Sequence, residues 1–198
     1  MPPVAVFPGP NPADRKDAAT LPTPPRPPCS TAACPHTPRN ARYRRILTVE
    51  RDEILNEAAT IAAGQPGGTL ATTHAEDGTP YVTYVLFHLR DTGEVLFGSN
   101  SRPQHARNIA ATPEVSFLID NREVIRGDWT AFNRIVIEGR AVEVAKEDAS
   151  YAVLLAELAE KNRMAAVFTD AGILFCLRPR RLLMMKGFEA TRHTVDFE

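Results

Sequence analysis

The densest cluster of polar side chains in this chain lies where a predicted strand ends and a predicted helix begins. The N–H groups of a helix N-terminus, together with hydroxyl groups and a cation, are typical of a phosphate site. The cluster is therefore predicted to bind a phosphorylated ligand, with an ordinary capped helix as the alternative. Its members carry hydroxyl, amide, imidazole and guanidinium groups: Ser99, Asn100, Ser101, Arg102, Gln104, His105, Arg107 and Asn108.

No motif for hydrolytic or thiol-redox chemistry accompanies this cluster. The sequence contains no G-x-S-x-G elbow, no H-E-x-x-H helix and no C-x-x-C pair. Cys29, Cys34 and His36 have one half of a metal-binding spacing. Such sites usually pair two clusters, and no second cluster follows in the chain. We therefore predict no metal site and assign no catalytic side chain.

Two hairpin signals precede the polar cluster. Asp77-Gly78 separates a Thr- and Leu-rich segment, 68–75, from an apolar segment, 80–90, and Asp-Gly is a strong hairpin signal. A second turn at 91–93 leads to a short apolar segment, 94–98. Three consecutive strands joined by tight turns predict an antiparallel meander that ends at the polar cluster.

The rest of the chain supplies more strands and three helices. Thr48 is predicted to cap a helix that ends near Gly64, and the absence of a repeated βαβ unit argues against a doubly wound nucleotide fold. The pattern predicts a mainly β fold with peripheral helices, in which six or seven antiparallel strands form a closed or partly open barrel. The remaining predicted elements are a polar loop and short helix over 99–113, a strand over 114–121, a long strand within 131–145, a helix over 146–162, and either one strand within 172–190 or two strands broken at Pro179.

Composition excludes several classes of protein. The 198 residues are 43% hydrophobic and 24% charged, with a net charge of −1, which is typical of a soluble globular domain. Near-zero net charge argues against a dedicated nucleic-acid binder. No apolar run approaches the ~20 residues that a membrane helix needs. Three cysteines are too few for a disulfide scaffold and favour a reducing compartment, so we expect a cytoplasmic protein with no membrane association.

Proline is concentrated at the N-terminus. Of the 17 prolines, 12 lie in residues 1–40, where they prevent helix and sheet from propagating. Residues 1–47 carry a net charge of +5 and the remainder −6. This asymmetry predicts a disordered, basic, Pro-rich tail over 1–45 and a folded domain over 46–198. An organelle-targeting segment is the alternative for the tail.

Several short motifs of the folded domain occur in an order that resembles a known family. They are D-G-x-P at 77–80, the apolar strand at 85–87, the strand end at 96–99, H-x-R-N at 105–108 and P-x-V-S at 113–116. In this order and spacing, they resemble the FMN-binding split-barrel superfamily that includes pyridoxamine 5′-phosphate oxidases. The resemblance implies an antiparallel six- or seven-stranded split barrel.

The resemblance also implies a cofactor and a partner. FMN would be bound at the interface of a homodimer that acts as an oxidoreductase on a small-molecule substrate. The backbone of strand 82–87 would lie along the isoalloxazine ring, and residues 98–105 would hold the phosphate. We favour Arg102 as the phosphate-binding cation because arginine is always protonated. The implied cofactor-binding residues are Thr83, Val85, Leu86, Ser99, Asn100, Arg102, Gln104 and His105.

Departures from the family pattern leave other cofactors open. Gln104-His105 stands where the family often has Arg-Lys, and the C-terminal segment 191–198 lacks the Arg-rich ending of true pyridoxamine 5′-phosphate oxidases. Residues 186–189 and His105 are similar to the haem-utilisation branch, in which His193 would be the candidate haem ligand. The alternatives are thus a haem-binding or haem-degrading protein and a non-catalytic flavin or deazaflavin carrier. No side chain is an obvious general base, which agrees with chemistry carried by a cofactor.

Overall fold

The structure, a computed structural model, describes residues 41–100, 103–187 and 191–198. Most of the predicted tail, including Cys29, Cys34 and His36, lies outside the described residues, and the tail stays a prediction. Arg102 also lies outside them. Within the described residues, the helices and strands are α1 (Ala41–Ala63), β1 (Gly67–Thr73), β2 (Pro80–Leu89), β3 (Val95–Ser99), α2 (Gln104–Ala111), β4 (Glu114–Asp120), β5 (Asn133–Val144), α3 (Tyr151–Lys161), α4 (Arg163–Asp170), β6 (Ile173–Lys186) and β7 (Thr191–Asp196).

The strands form one antiparallel sheet that closes into a barrel. Their order is β3-β2-β1-β4-β5-β6-β7, and an additional pairing between β3 and β6 joins the two ends of the first six strands. Six strands therefore make the barrel, and β7 is added to β6 as a further strand. This arrangement confirms the predicted mainly β fold, an antiparallel barrel of six or seven strands with peripheral helices.

The two predicted hairpins are present, and local hydrogen bonds fix both turns. Gly78 has a φ of 74°, and the Asp77 carboxylate accepts hydrogen bonds from the backbone N–H and the hydroxyl of Thr79 at 2.9 and 2.7 Å. Gly93 has a φ of 88°, and its N–H donates to the carbonyl of Arg90. A positive φ is accessible to glycine at little cost, which is why these turns could be recognised in the sequence.

Strand β6 belongs to two parts of the sheet. Its first residues, from Ile173 to Leu177, pair with β3 and close the barrel, whereas Arg181–Lys186 pair with β7. The register with β5 shifts where Gly139 lies opposite Pro179. A Cβ on Gly139 would come 2.1 Å from the carbonyl oxygen of Arg178. The chain thus remains one strand at Pro179, with an irregularity in the ladder, rather than dividing into two.

The faces of β2 separate the barrel interior from its outer surface. Val85, Phe87 and Leu89 are buried and point inward, because alternate residues of a strand face opposite sides. On the outer face, Val82 and Tyr84 are 61% and 57% exposed. Strand β2 therefore presents apolar side chains on both of its faces.

Helices α3 and α4 cover part of the barrel through a second hydrophobic cluster. Leu158 on α3 and Ala165 on α4 pack with Leu96 of β3 and Leu174 of β6. Asn162 lies between the two helices and accepts a hydrogen bond from the N–H of Ala165, so it caps α4. No helix of the described residues is long and apolar enough to cross a bilayer.

Three features of the fold differ from the sequence-based expectation. Helix α1 begins at Ala41, so Thr48 lies inside the helix and does not cap it. Helix α4 was not predicted, because neither a proline nor a glycine separates it from α3 and its cap is a single asparagine. Strand β7 was not predicted either, because its alternation is weak, and it forms by pairing with β6.

Candidate functional site

A cleft of about 280 Å³ lies where β2, the end of β3, the start of α2 and helix α4 meet. The cleft contains the middle of the predicted polar cluster. It adjoins the outer face of the barrel through Tyr84. Its lining includes Val85, Leu86, Ser99, Asn100, His105 and Phe168.

Two glycines allow the walls of this cleft to approach one another. A Cβ on Gly98 would come 1.7 Å from the hydroxyl of Thr169 on α4. A Cβ on Gly172 would come 1.9 Å from the carbonyl oxygen of Ser99. Real side chains cannot be accommodated at such distances, so both positions require glycine for α4 and the 99–100 segment to sit where they do. The glycines therefore set the width of the cleft.

Ser99 and His105 form a buried hydrogen-bonded pair at the cleft. Their exposed fractions are 4% and 7%, and His105 Nε2 lies 2.9 Å from Ser99 Oγ. Ser99 Oγ donates to the carbonyl of Asn100 at 2.9 Å, so His105 Nε2 is the donor toward Ser99. Burial lowers the pKa of His105 below its ordinary value. The imidazole is therefore neutral near pH 7 and cannot supply a full positive charge.

Gln104 is turned away from the cleft. Its amide nitrogen donates to Asn108 at 2.8 Å, and the amide of Asn108 donates to the hydroxyl of Thr72 on β1 at 2.9 Å. Asn108 is fully buried, and Arg107 also donates to Gln104. Part of the polar cluster therefore anchors α2 to the barrel and does not line the cleft.

The predicted cofactor residues thus fall into three groups. Five of them line the cleft, namely Val85, Leu86, Ser99, Asn100 and His105. Thr83, opposite Leu70 in the β1–β2 ladder, and Gln104 lie outside its lining. Arg102 lies outside the described residues. The sequence did not indicate Ala165 and Phe168, because their helix was not predicted.

A second cleft, of about 290 Å³, lies beside the first and shares Tyr84 with it. It opens between β1 and β4, whose ladder extends only from Thr69–Leu118 to Ala71–Ser116. Beyond Thr69 the two strands no longer pair. The lining here includes Gln65, Gly67, Tyr84, Asp120, Arg122 and Glu123.

Ion pairing determines the charge of this second cleft. Arg122 donates from Nε to Asp120 Oδ1 at 2.7 Å and from its second nitrogen to Oδ2 at 2.5 Å. Burial of Asp120 raises its pKa, but the hydrogen bonds and charge of Arg122 outweigh this and leave its pKa lowered. Asp120 is therefore ionised and already paired. Glu123 adds a further negative charge to the lining.

The described residues contain neither a candidate metal site nor a thiol with a lowered pKa. No group of three or more His, Cys, Asp or Glu side chains that could hold a metal occurs among them. Cys176 is buried, and burial followed by the charge of Glu94 raises its pKa to about 12. Its thiol is therefore unreactive at neutral pH.

His193 lies far from the first cleft along the sheet. It is paired with Met184 on β6, whereas Ser99 is paired with Ile173 near the other end of the same strand. At about 3.3 Å per residue, the separation along β6 is on the order of 35 Å. His193 and His105 of one chain therefore do not act on one ligand in this cleft.

Comparison with known proteins identifies relatives of this fold. The family model described as pyridoxamine 5′-phosphate oxidase matches residues 54–184. A haem-binding protein from Mycobacterium smegmatis is 24% identical with a TM-score of 0.62, and the similarity covers 72% of this chain and 57% of that protein. The chain therefore spans little more than half of that relative. No curated protein matches the sequence.

Two further solved structures share the fold at comparable similarity. HutZ, a haem storage protein from Vibrio cholerae, is 24% identical with a TM-score of 0.54, and the similarity covers 68% of this chain and 96% of that one. An FAD-binding protein from Mesorhizobium loti is 16% identical with a TM-score of 0.53, covering 71% and 93%. At these identities the similarity establishes the barrel and not the ligand.

Proposed function

Because this chain belongs to the pyridoxamine 5′-phosphate oxidase family, we propose that it holds FMN in the cleft at Ser99 and His105 and acts as a flavin-dependent oxidoreductase. One observation carries the proposal. Five residues that the family resemblance assigned to the cofactor line a single cleft, although they come from three separate segments of the chain. Those segments are the strand end at 85–86, the loop at 99–100 and the helix start at 105.

The donors of the cleft suit a phosphate group. The first N–H groups of α2, which follow Pro103, have no acceptor within the helix, and the positive end of the helix dipole favours an anion there. The hydroxyl of Ser99 would have to turn from the carbonyl of Asn100 to donate to a phosphate oxygen, and His105 Nε2 would hold the serine oxygen in place while it does so. Arg102 is the predicted source of full positive charge, and it stays a prediction.

The other end of the cleft suits a flat ring. Val85 and Leu86 provide strand backbone on one side, and Phe168 on α4, which is 52% exposed, provides an aromatic side chain on the other. Bound flavin would supply the hydride and electron transfer. The chain's own residues would bind the phosphate, orient the ring and exclude water from one of its faces.

We also propose that the chain forms a homodimer through the outer face of β2. Val82 and Tyr84 are exposed there by more than half of their surface, and Tyr84 lines both clefts. Exposed apolar side chains in such a patch are typical of interaction surfaces. A two-fold dimer would cover them and place each cleft close to the partner subunit.

A comparison of FMN with riboflavin tests the phosphate assignment. We expect the purified protein to bind FMN more tightly than riboflavin, because riboflavin has no phosphate. Ser99→Ala should weaken FMN binding by roughly tenfold, on the scale of one hydrogen bond to a charged group, and leave riboflavin binding unchanged. Ser116→Ala, a serine on β4 outside the cleft, is the matched control. Equal affinity of the parent protein for FMN and riboflavin would contradict the proposal.

Haem is the second candidate for the same cleft. The observation that favours it is the neutral, buried imidazole of His105, since a neutral imidazole is the form that ligates haem iron. Its Nε2 is used toward Ser99, which leaves Nδ1. Visible absorbance after addition of each cofactor distinguishes the two candidates. Flavin absorption bands of the bound cofactor would indicate FMN. A Soret band that is lost in His105→Leu would indicate haem. A deazaflavin carrier would bind its cofactor without turnover.

A further inference from the structure

A third cleft, of about 380 Å³, lies where the ends of α1, β2 and α3 meet. It shares no lining residue with the first cleft, and neither Val82 nor Tyr84 of the proposed dimer surface lines it. Its chemistry is therefore separate from that of the proposed cofactor. The lining combines small apolar side chains with an amine, an imidazole and carboxylates, and it includes Ala63, His88, Asp91, Glu157, Glu160 and Lys161.

The amine of this cleft is held in a fixed position. Lys161 lies in the last turn of α3, and its Nζ donates to the carbonyl of Ala62, near the end of α1, at 2.7 Å. The same nitrogen lies 3.8 Å from the centroid of the Phe87 ring. The hydrogen bond to Ala62 uses one of the three N–H donors that an ammonium has.

Lys161 has no carboxylate partner in an ion pair among the described residues. Glu157 lies four residues earlier on α3, a spacing that often gives such a pair, but its Oε2 is 2.7 Å from Nε of Arg90 instead. Burial lowers the pKa of Lys161 to about 8. Roughly a tenth of the amine is therefore neutral at pH 7, and the neutral amine is the nucleophilic form.

An imidazole in the same lining can carry protons to and from this amine. His88 is partly buried on β2, and burial lowers its pKa, as does the nearby charge of Lys161. The ring is therefore neutral near pH 7. A neutral imidazole can accept a proton and return it within one reaction.

The charge of the lining selects against anions. Glu157 is neutralised by Arg90, whereas Asp91 and Glu160 add negative charge beside Lys161. A cleft of this sign repels an anionic ligand and tolerates a neutral one. It also stabilises a positive charge that stays on the nitrogen of Lys161.

We propose that Lys161 binds a neutral aldehyde covalently in this cleft as a Schiff base, with His88 carrying the protons of the addition. Nζ attacks the carbonyl carbon and forms a C–N bond, while a proton passes from the nitrogen to the carbonyl oxygen. The C–O bond of this carbinolamine then breaks and water leaves, so that neither an oxidant nor a reductant is needed. The protonated imine keeps one N–H and its charge, and thus retains both the hydrogen bond to Ala62 and the contact with Phe87.

Trapping with sodium cyanoborohydride, which reduces a protonated imine to a secondary amine, tests this proposal on the full chain. With benzaldehyde at pH 7, we expect peptide mass spectrometry to find Lys161 benzylated about tenfold or more faster than the exposed Lys146. 4-Carboxybenzaldehyde has the same ring with a negative charge. It should label Lys161 about tenfold more slowly than benzaldehyde does, with the rates of both aldehydes normalised to those with free Nα-acetyl-lysine.

Three variants test the parts of the site. Ala63→Leu fills the cleft and should abolish the preference for Lys161, whereas Ala152→Leu, at an exposed alanine of α3 outside this lining, should leave it unchanged. His88→Gln should slow labelling of Lys161 by about tenfold and leave that of Lys146 unchanged. Thermal unfolding of each variant verifies that it is folded.

The outcomes that would overturn the proposal are equally specific. They are labelling of Lys161 no faster than that of Lys146, equal normalised rates for the two aldehydes, and labelling that a folded Ala63→Leu variant leaves unchanged. An unchanged rate in His88→Gln would overturn the role of His88. Added FMN should not alter labelling, because the two clefts share no residue, so failure of FMN to bind would count against the proposed function alone.

Discussion

Replacement of Gly98 by alanine tests whether the position of α4 defines the first cleft. The added Cβ would come 1.7 Å from the hydroxyl of Thr169, and 3.0 Å from both the Cβ of Thr169 and the carbonyl oxygen of Ala165. Thr169 is fully buried, and its hydroxyl donates to that same carbonyl at 2.7 Å. Neither β3, which is paired on both sides, nor the side chain of Thr169 can move freely. Helix α4 must therefore shift away from β3.

The size of the effect follows from this overlap. Insertion of one methyl group into a close-packed site costs about 1–3 kcal/mol. We expect the cost of Gly98→Ala to lie near the upper end of this range, because the atom closest to the added Cβ, the hydroxyl oxygen of Thr169, is buried and well inside van der Waals contact distance. The shift of α4 would also move Phe168 out of the lining. FMN binding should then weaken along with the free energy of unfolding, measured by urea denaturation with and without the cofactor.

A double-mutant cycle distinguishes the overlap between the added Cβ and Thr169 from any other effect of alanine at position 98 on stability. Thr169→Ala alone should cost roughly 1 kcal/mol for its lost hydrogen bond. Combined with Gly98→Ala it removes the closest overlap, so the double variant should be more stable than additivity predicts by at least about 1 kcal/mol. Gly64→Ala is the control, since its Cβ would meet only the Ile61 carbonyl at 3.9 Å. Additive costs, or a Gly98→Ala variant as stable as Gly64→Ala, would refute this account of the cleft.

Three further predictions concern other parts of the barrel. Lys161 has its pKa lowered from 10.5 to about 8 by burial, so the unfolded chain binds more protons between these values. The free energy of unfolding of the parent protein should therefore rise, relative to that of Lys161→Met, between about pH 8 and pH 10.5. If urea denaturation shows a difference between the two proteins that does not change with pH, the prediction is contradicted. Arg90 donates to Glu157 on α3 at 2.7 Å, and Arg90→Ala should lower the melting temperature more than Arg140→Ala, whose partner lies on an exposed surface. Val82→Glu should convert the proposed dimer into a monomer in sedimentation, and a monomeric parent protein would exclude the dimer.

The hairpins and the barrel could be predicted because their determinants are local. Asp77-Gly78 and Gly93 specify tight turns through their own backbone preferences, and the alternation of β2 and β5 marks their two faces. Each of these signals lies within a few residues of the element that it specifies. The order of the strands then follows from short connections.

The composition of the cleft could be predicted only in part, because it depends on how the helices dock. The polar cluster of the sequence includes Ser99 and His105, which line the cleft, but the side of α2 that faces the cleft depends on the hydrogen bond from Asn108 to Thr72. That contact spans 36 residues and leaves Gln104 outside the lining. Phe168 was missed for a similar reason, since α4 is placed by its contact with Gly98.

The division of β6 between two partners has a consequence for how the molecule opens. Its first half pairs on both sides, with β3 and β5, whereas β7 pairs with the second half alone and otherwise contributes Val195 to the core. Pro179, which has no N–H to contribute to the ladder, lies between these halves, at the register shift. We therefore expect β7 to detach as a separate cooperative unit while the barrel stays closed. Backbone amides of Thr194 and Val195 should then exchange with deuterium long before those of Phe117 and Ile137 in the core.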